Sequence, residues 1–159
     1  MQIGIIGAGN MGIGLGRFWV GNGHQLMLAF SKDKEKLLQA ASALGKDVRT
    51  GTPAEAAAFG EVVLLATPYT ISAEALRAAG PLDSKILFSC VNALKPDLSG
   101  MAVGTTSSAA EELAKLVPKA RFVEALPRLP SYCTRVQPNL ADRHPPSSTA
   151  EMTKRQKRS

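Results

Sequence analysis

Gly7, Gly9 and Gly12 stand at the spacing G-x-G-x-x-G directly behind the apolar run Ile3, Ile5, Ile6. Glycines so placed can bind a dinucleotide. The first allows a tight bend out of a strand and the second leaves no Cβ to block a pyrophosphate. The third lets the next helix pack closely on the sheet with its positive end aimed at the phosphates. Three glycines alone are a weak signal, but here an apolar strand precedes them and Met11, Leu15, Phe18 and Trp19 follow at helical spacing. Gly7, Gly9, Asn10, Met11 and Gly12 are therefore the candidate pyrophosphate residues.

The end of the second strand selects between the two nicotinamide dinucleotides, because it faces the adenosine ribose. NAD usually meets an acid there. This chain has Ala29-Phe30-Ser31-Lys32, which offers a hydroxyl and an ammonium to a 2′-phosphate. Lys36 is read as a further partner of that phosphate, and Lys34 as part of a solvated helix face. Asp33, the competing ribose acid, follows Ser31-Lys32 and is expected in the first turn of the next helix, so NADP(H) is the expected cofactor. Two later loops, Ala66-Thr67-Pro68-Tyr69 and Cys90-Val91-Asn92-Ala93, follow strands at their carboxyl ends, where ligands collect on open α/β sheets. Thr67 and Asn92 are expected to donate hydrogen bonds near the ribose or nicotinamide, with Pro68 stiffening its loop.

Acid–base groups are sparse. His24 falls before the second strand, on the edge away from the glycines, and His144 in a Pro-rich tail. No Ser-His-Asp order, zinc spacing or Walker sequence occurs. Hydride transfer between two held cofactors tolerates this, because the cofactors carry the chemistry and the protein supplies position. No catalytic residue or metal ligand is assigned.

The elements that must position these residues alternate. Strands are expected near 2–6, 25–30, 47–50, 62–66, 85–89 and 121–125, and helices near 10–21, 33–44, 53–59, 70–79 and 106–117. Gly21-Asn-Gly23 and Gly45 end the first two helices, Thr52-Pro53 starts the third and Gly80-Pro81 follows the fourth. Ser107 or Ser108 can cap the fifth, and Pro118 stops it. Val62 to Ala66 is continuously apolar, as in a strand buried on both faces of a parallel sheet. The expected fold is an α/β doubly wound parallel sheet, a Rossmann domain, filling residues 1–126 as a single domain.

Composition bounds the rest. The chain has 159 residues, room for one domain, and no apolar run of membrane-spanning length. A cytoplasmic location and no membrane partner are expected, and Cys90 and Cys133 form neither a metal cluster nor a disulfide framework. The net charge of +6 is concentrated late: residues 127–159 carry 7 of the 19 basic but 2 of the 13 acidic groups. The same segment holds 5 of the 10 prolines and no glycine, and is expected to be a disordered or atypical Pro/Arg-rich tail. Its Lys154-Arg-Gln-Lys-Arg158 run reads as tail composition, so nucleic acid is not the expected partner.

Ile3 to Gly12, Ser31-Lys32, Ala66-Thr-Pro68, Ser89-Cys-Val-Asn-Ala-Leu-Lys-Pro96 and Thr106 to Lys115 together resemble the NADP oxidoreductase family typified by deazaflavin (coenzyme F-420)-dependent NADPH reductases. The likeness covers about residues 1–126. Its first motif is shared with pyrroline-5-carboxylate reductases and other imine or β-hydroxyacid relatives, and the stretch from Ser89 to Lys115 is the more telling part. The resemblance implies Gly7, Gly9, Asn10, Met11 and Gly12 around the pyrophosphate, Ser31 and Lys32 at the 2′-phosphate, and Thr67, Pro68 and Asn92 at the nicotinamide end. It implies coenzyme F-420 or a flavin as co-substrate, a small-molecule acceptor and a homodimer. Past residue 126 the sequence departs from the family and resembles a truncated or frame-shifted terminus. The expected function is NADP(H)-dependent hydride transfer to a deazaflavin, flavin-like or small imine/carbonyl acceptor. The alternative is a non-catalytic NADP(H)-binding module with an incomplete acceptor site.

Overall fold

The computed structural model describes residues 1–30, 33–97, 99–103 and 106–125. Six strands, β1 (Gln2–Ile6), β2 (Gln25–Ala29), β3 (Arg49–Gly51), β4 (Val62–Leu65), β5 (Ile86–Ser89) and β6 (Arg121–Glu124), alternate with five helices. These are α1 (Asn10–Gly21), α2 (Lys34–Leu44), α3 (Pro53–Phe59), α4 (Tyr69–Ala79) and α5 (Ala109–Ala114). Every strand pair is parallel and the order is β3-β2-β1-β4-β5-β6. The doubly wound sheet expected from the sequence is the observed one. The expected tail, 127–159, and the end of the 1–126 domain assignment lie outside the described residues.

Period-two burial explains the two layers. Ile3 and Ile5 of β1, Leu26 and Leu28 of β2 and Leu64 of β4 form one core with Leu37 and Leu44 of α2, and α1 packs Met11, Leu15 and Trp19 against it. Ile6, Val63, Leu65 and Leu87 point the other way, onto Ala57 of α3, Ala75, Leu76 and Ala79 of α4 and Leu113 of α5. A central strand buried on both faces has no polar position to spare, hence the continuous apolar β4. Each fully buried Leu or Ile contributes about 1.5–3 kcal/mol relative to exposure. Phe18 is not part of this core. It is 51% exposed, because Trp19 takes the inward position and meets Phe88 of β5 edge-on at 6.4 Å between centroids.

Local signals set the element ends. Thr52 and Ser108 form reciprocal capping boxes with Glu55 and Glu111, and Asp33 caps α2. The fifth helix is shorter than its apolar pattern suggested: after Ala114 the chain loosens into turns before Pro118. Strand β3 begins at Arg49 because Lys46 and Asp47 are used in the turn that follows Gly45. Lys85 Nζ donates to the carbonyls of Ala58 at 3.2 Å and Gly60 at 2.7 Å, placing a cation at the carboxyl end of α3.

The ladder runs one residue beyond the strands at one edge. Gly7 N donates to Ala29 O, Ala66 N to Ile6 O, Cys90 N to Leu65 O and Ala125 N to Ser89 O, at 2.9 to 3.1 Å. The loops after β1, β4 and β5 therefore start from a fixed, common edge.

Candidate functional site

At this carboxyl edge the chain leaves β1 through Gly7 at φ +116, a conformation that only glycine adopts without strain. A β-carbon on Gly7 would come within 3.1 Å of the Thr67 amide nitrogen and closer still to the Ala66 carbonyl. The glycine turn and the β4–α4 loop are thus packed backbone on backbone. Gly12 packs as tightly, against the Gly7 carbonyl and Ile5.

Gly9 is different. It is the N-cap of α1, exposed, with extended φ and ψ of −85° and −174°, and a β-carbon there would meet nothing within 4 Å. No side chain caps α1 and no acid occupies its first turn. Three of the other four helices are capped by their own Asp, Thr or Ser. Open space in front of uncapped amides at the positive end of a twelve-residue helix suits an anion, and the pyrophosphate of a dinucleotide fits it. Asn10 is exposed there; Met11 is half-buried and its side chain packs into the core, leaving its backbone to face the site.

At the strand end expected to face the adenosine ribose, Phe30 follows β2 in the left-handed region at φ 62 and packs against the core of Ile6, Val63 and Leu65. Ser31 and Lys32, the expected 2′-phosphate partners, lie outside the described residues. Asp33 Oδ1 accepts from Glu35 N at 2.9 Å and Lys36 N at 3.2 Å, so the acid serves as the cap of α2, one position before the helix. Lys36 is exposed, with Nζ 3.8 Å from Asp33 Oδ2.

The loops after β4 and β5, expected at the nicotinamide, depart from the expected hydrogen bonding at one residue. Pro68 and Asn92 are exposed, whereas Thr67 is 6% exposed and turns its Oγ1 inward to Ser72 Oγ at 2.8 Å. Ser89 Oγ accepts from Val91 N at 3.2 Å and Leu94 N donates to Asn92 O at 2.8 Å, so backbone turns present Asn92. Ser72 has no signal in the sequence beyond a serine four residues after Pro68, and Ser89, quoted there within the Ser89–Pro96 motif, was given no role of its own. Beyond Asn92, Leu94 is bridged to Met101 in the antiparallel sense and Ala102 N donates to Ala93 O at 2.7 Å.

Ionisable groups at this edge are few. Cys90 is 8% exposed, its Sγ donates to Leu65 O at 3.5 Å, and burial pushes its thiol up to about 11. Desolvation raises the Glu124 carboxyl, at the end of β6, from its ordinary value. His24 lies at the opposite edge, with Nδ1 3.5 Å from the amino terminus. Among the described residues no cluster of His, Cys, Asp or Glu could hold a metal ion, and no helix is long and apolar enough to cross a membrane.

A parallel sheet ordered 3-2-1-4-5-6, with a glycine turn into an uncapped helix at the β1/β4 crossing point, defines a dinucleotide-binding Rossmann fold. The chain belongs to the NADP oxidoreductase coenzyme F420-dependent family, whose model matches residues 2–93. The match takes in the glycine turn and both later loops, and stops before most of the Ser89–Lys115 stretch. A hypothetical protein from Sinorhizobium meliloti superposes with a TM-score of 0.76 at 24% identity, over 89% of this chain and 68% of that one. A candidate F420-dependent NADP reductase from Arthrobacter sp. FB24 superposes at 0.75 and 25% identity, over 83% of this chain and 65% of that one. The chain thus spans about two thirds of the length of these two structures. A reductive aminase from Aspergillus terreus in complex with NADPH shares the fold at 0.56 and 17% identity, over 77% of this chain and 38% of that one. No curated protein matches the sequence.

Proposed function

We propose that the chain binds NADP(H) across this edge and takes part in hydride transfer to a deazaflavin, a flavin-like molecule or a small imine or carbonyl acceptor. The observation that carries the reading is the open, uncapped N-terminus of α1 at Gly9, set against Gly7 and the β4–α4 loop in a chain of an NADP oxidoreductase family. Gly7, Gly9, Asn10, Met11 and Gly12 would hold the pyrophosphate. Ser31 and Lys32, with Lys36 behind them, would hold the 2′-phosphate, and Pro68 and Asn92 would face the nicotinamide with Thr67 behind the loop. NADPH, when bound, supplies the hydride. The residues of this chain bind and orient it. The family name supports F420 as acceptor, and the aminase neighbour supports imines and carbonyls. A homodimer is part of the same reading and is read directly by sedimentation.

The competing reading is an NADP(H)-binding module without turnover, favoured by the scarcity of proton-transfer groups among the described residues of this edge. One experiment separates the two. NADPH fluorescence is titrated with protein, then its oxidation is followed at 340 nm with F420, FMN and a panel of cyclic imines and ketones. Binding with turnover supports the enzyme, binding alone supports the module, and no binding overturns both.

A further inference from the structure

The β4–α4 loop carries a pair of buried hydroxyls that the glycine turn does not itself require. Thr67 Oγ1 is 2.8 Å from Ser72 Oγ, which is 2.9 Å from the Pro68 carbonyl oxygen. Ser72 is wholly buried. A carbonyl only accepts, so the single hydroxyl hydrogen of Ser72 goes to Pro68. Thr67 must then donate to Ser72 Oγ. The relay runs one way, and the Thr67 hydrogen is not available to a ligand.

The need for it is local. Pro68 is the N-cap of α4 and has no side-chain acceptor, while its carbonyl already takes Ile71 N at 3.1 Å. Ser72 reaches back from the first turn and ties that carbonyl and Thr67 together. On its other side the same loop is pressed on Gly7 and continues the sheet through Ala66 N to Ile6 O at 2.9 Å. Two hydroxyls satisfied, among the described residues, by each other and by one carbonyl cost more to bury than alanine and valine in their places, and what they add is direction.

We propose that Thr67 and Ser72 are positioning residues whose relay sets Ala66–Pro68 as the wall of the nicotinamide half of the site, with the exposed Pro68 ring as the face toward the cofactor. This rests on the reading of the edge as an NADP(H) site. The adenosine half lies across the sheet at β2 and is indifferent to the relay.

Ser72→Ala and Thr67→Val each remove the relay, and NADPH and 2′,5′-ADP, which lacks the nicotinamide half, are the two probes. Losing one buried hydrogen bond corresponds to about fivefold to tenfold in affinity. Each variant should weaken NADPH by that factor and leave 2′,5′-ADP within about twofold, since only the nicotinamide wall has moved. The double variant should be no weaker than either single one, and Thr67→Ser should restore binding. Unchanged NADPH affinity, equal losses for both probes, or losses that multiply in the double variant would each overturn the proposal. If Ser72→Ala does not fold, the near-isosteric Thr67→Val carries the test. Failure of the wild-type protein to bind either probe would instead sink the site itself, before any variant is compared.

Discussion

The carbonyl oxygen of Gly7 lies in the space that a β-carbon on Gly12 would fill, so the turn and the first coil of α1 are in backbone contact. Gly12→Ala must push the helix off the sheet. Overpacking of this kind costs about 1–3 kcal/mol. Thermal unfolding should fall by about 2–4 °C per kcal/mol, and NADPH binding should weaken with it because the helix end is displaced. A Gly12→Ala protein that melts like wild type would show that the contact is slack.

Gly9 makes the opposite case two residues after Gly7. Nothing lies within 4 Å of a β-carbon there and its φ of −85° suits any residue. Gly9→Val should keep the circular dichroism spectrum and melting temperature while losing NADPH, because the isopropyl group occupies the space in front of the helix. Retained affinity in the folded variant would make the open space irrelevant to binding.

Much of this was legible in the sequence for identifiable reasons. Strand β4 is apolar throughout because both its faces are covered, and the boxes at Thr52 and Ser108 are written in residues three apart. Asp33, expected inside the first turn of α2, stands one position before it as the cap, because its carboxylate takes the Glu35 and Lys36 amides. What stayed hidden depends on contacts across the fold. Phe18 and Trp19 are adjacent and equally apolar, and only Phe88 on β5 shows which is inside. Thr67 read as a donor to a ligand because its partner, Ser72, is placed by the packing of α4 on the sheet. The Leu94–Met101 bridge is a single pairing with no alternation to betray it.

Lys32 and Lys36 are both read as partners of the 2′-phosphate, but their expected weights differ. Lys36 already has Asp33 Oδ2 at 3.8 Å, on an exposed helix turn. Charge-assisted bonds to the phosphate contribute about 1.5–3 kcal/mol, so Lys32→Ala should reduce the preference for NADPH over NADH by roughly tenfold to a hundredfold. Lys36→Ala should change it by less. Calorimetric titration of both cofactors reads the two ratios, and an unaltered ratio in Lys32→Ala would remove the basis for NADP(H) selection at that strand end.

The two capping boxes set an acid limit on stability. Thr52 N donates to Glu55 Oε2 and Ser108 N to Glu111 Oε2, both at 2.7 Å, and these bonds hold the two carboxyls below their ordinary 4.5. A carboxylate whose value is lowered by folding stabilises the fold above its unfolded value and loses that contribution as pH falls. The urea midpoint of the wild-type protein should therefore drop more between about pH 5 and pH 3 than that of a Glu55→Gln, Glu111→Gln double variant. Parallel pH profiles would show that the boxes hold no proton-linked stability.

Cys90 sets the corresponding limit in base. Its thiol is buried at the carboxyl edge, donates to the Leu65 carbonyl, and is pushed from 9.0 up to about 11 chiefly by burial. The folded chain holds this proton through a range in which the unfolded chain has released it, so the contribution of Cys90 to stability is present below pH 9 and is lost as pH rises toward 11. At pH 8 only about one thiol in a thousand is ionised, and alkylation of Cys90 by iodoacetamide should be far slower than in the urea-unfolded protein. Peptide mapping by mass spectrometry reads that rate directly. Urea midpoints of wild type and Cys90→Ala compared at pH 8 and pH 10.5 read the linkage, and the wild-type midpoint should fall further. Rapid labelling of folded Cys90 at pH 8 would mean that the loop after β5 opens readily, and that the turns presenting Asn92 are looser than their hydrogen bonds indicate.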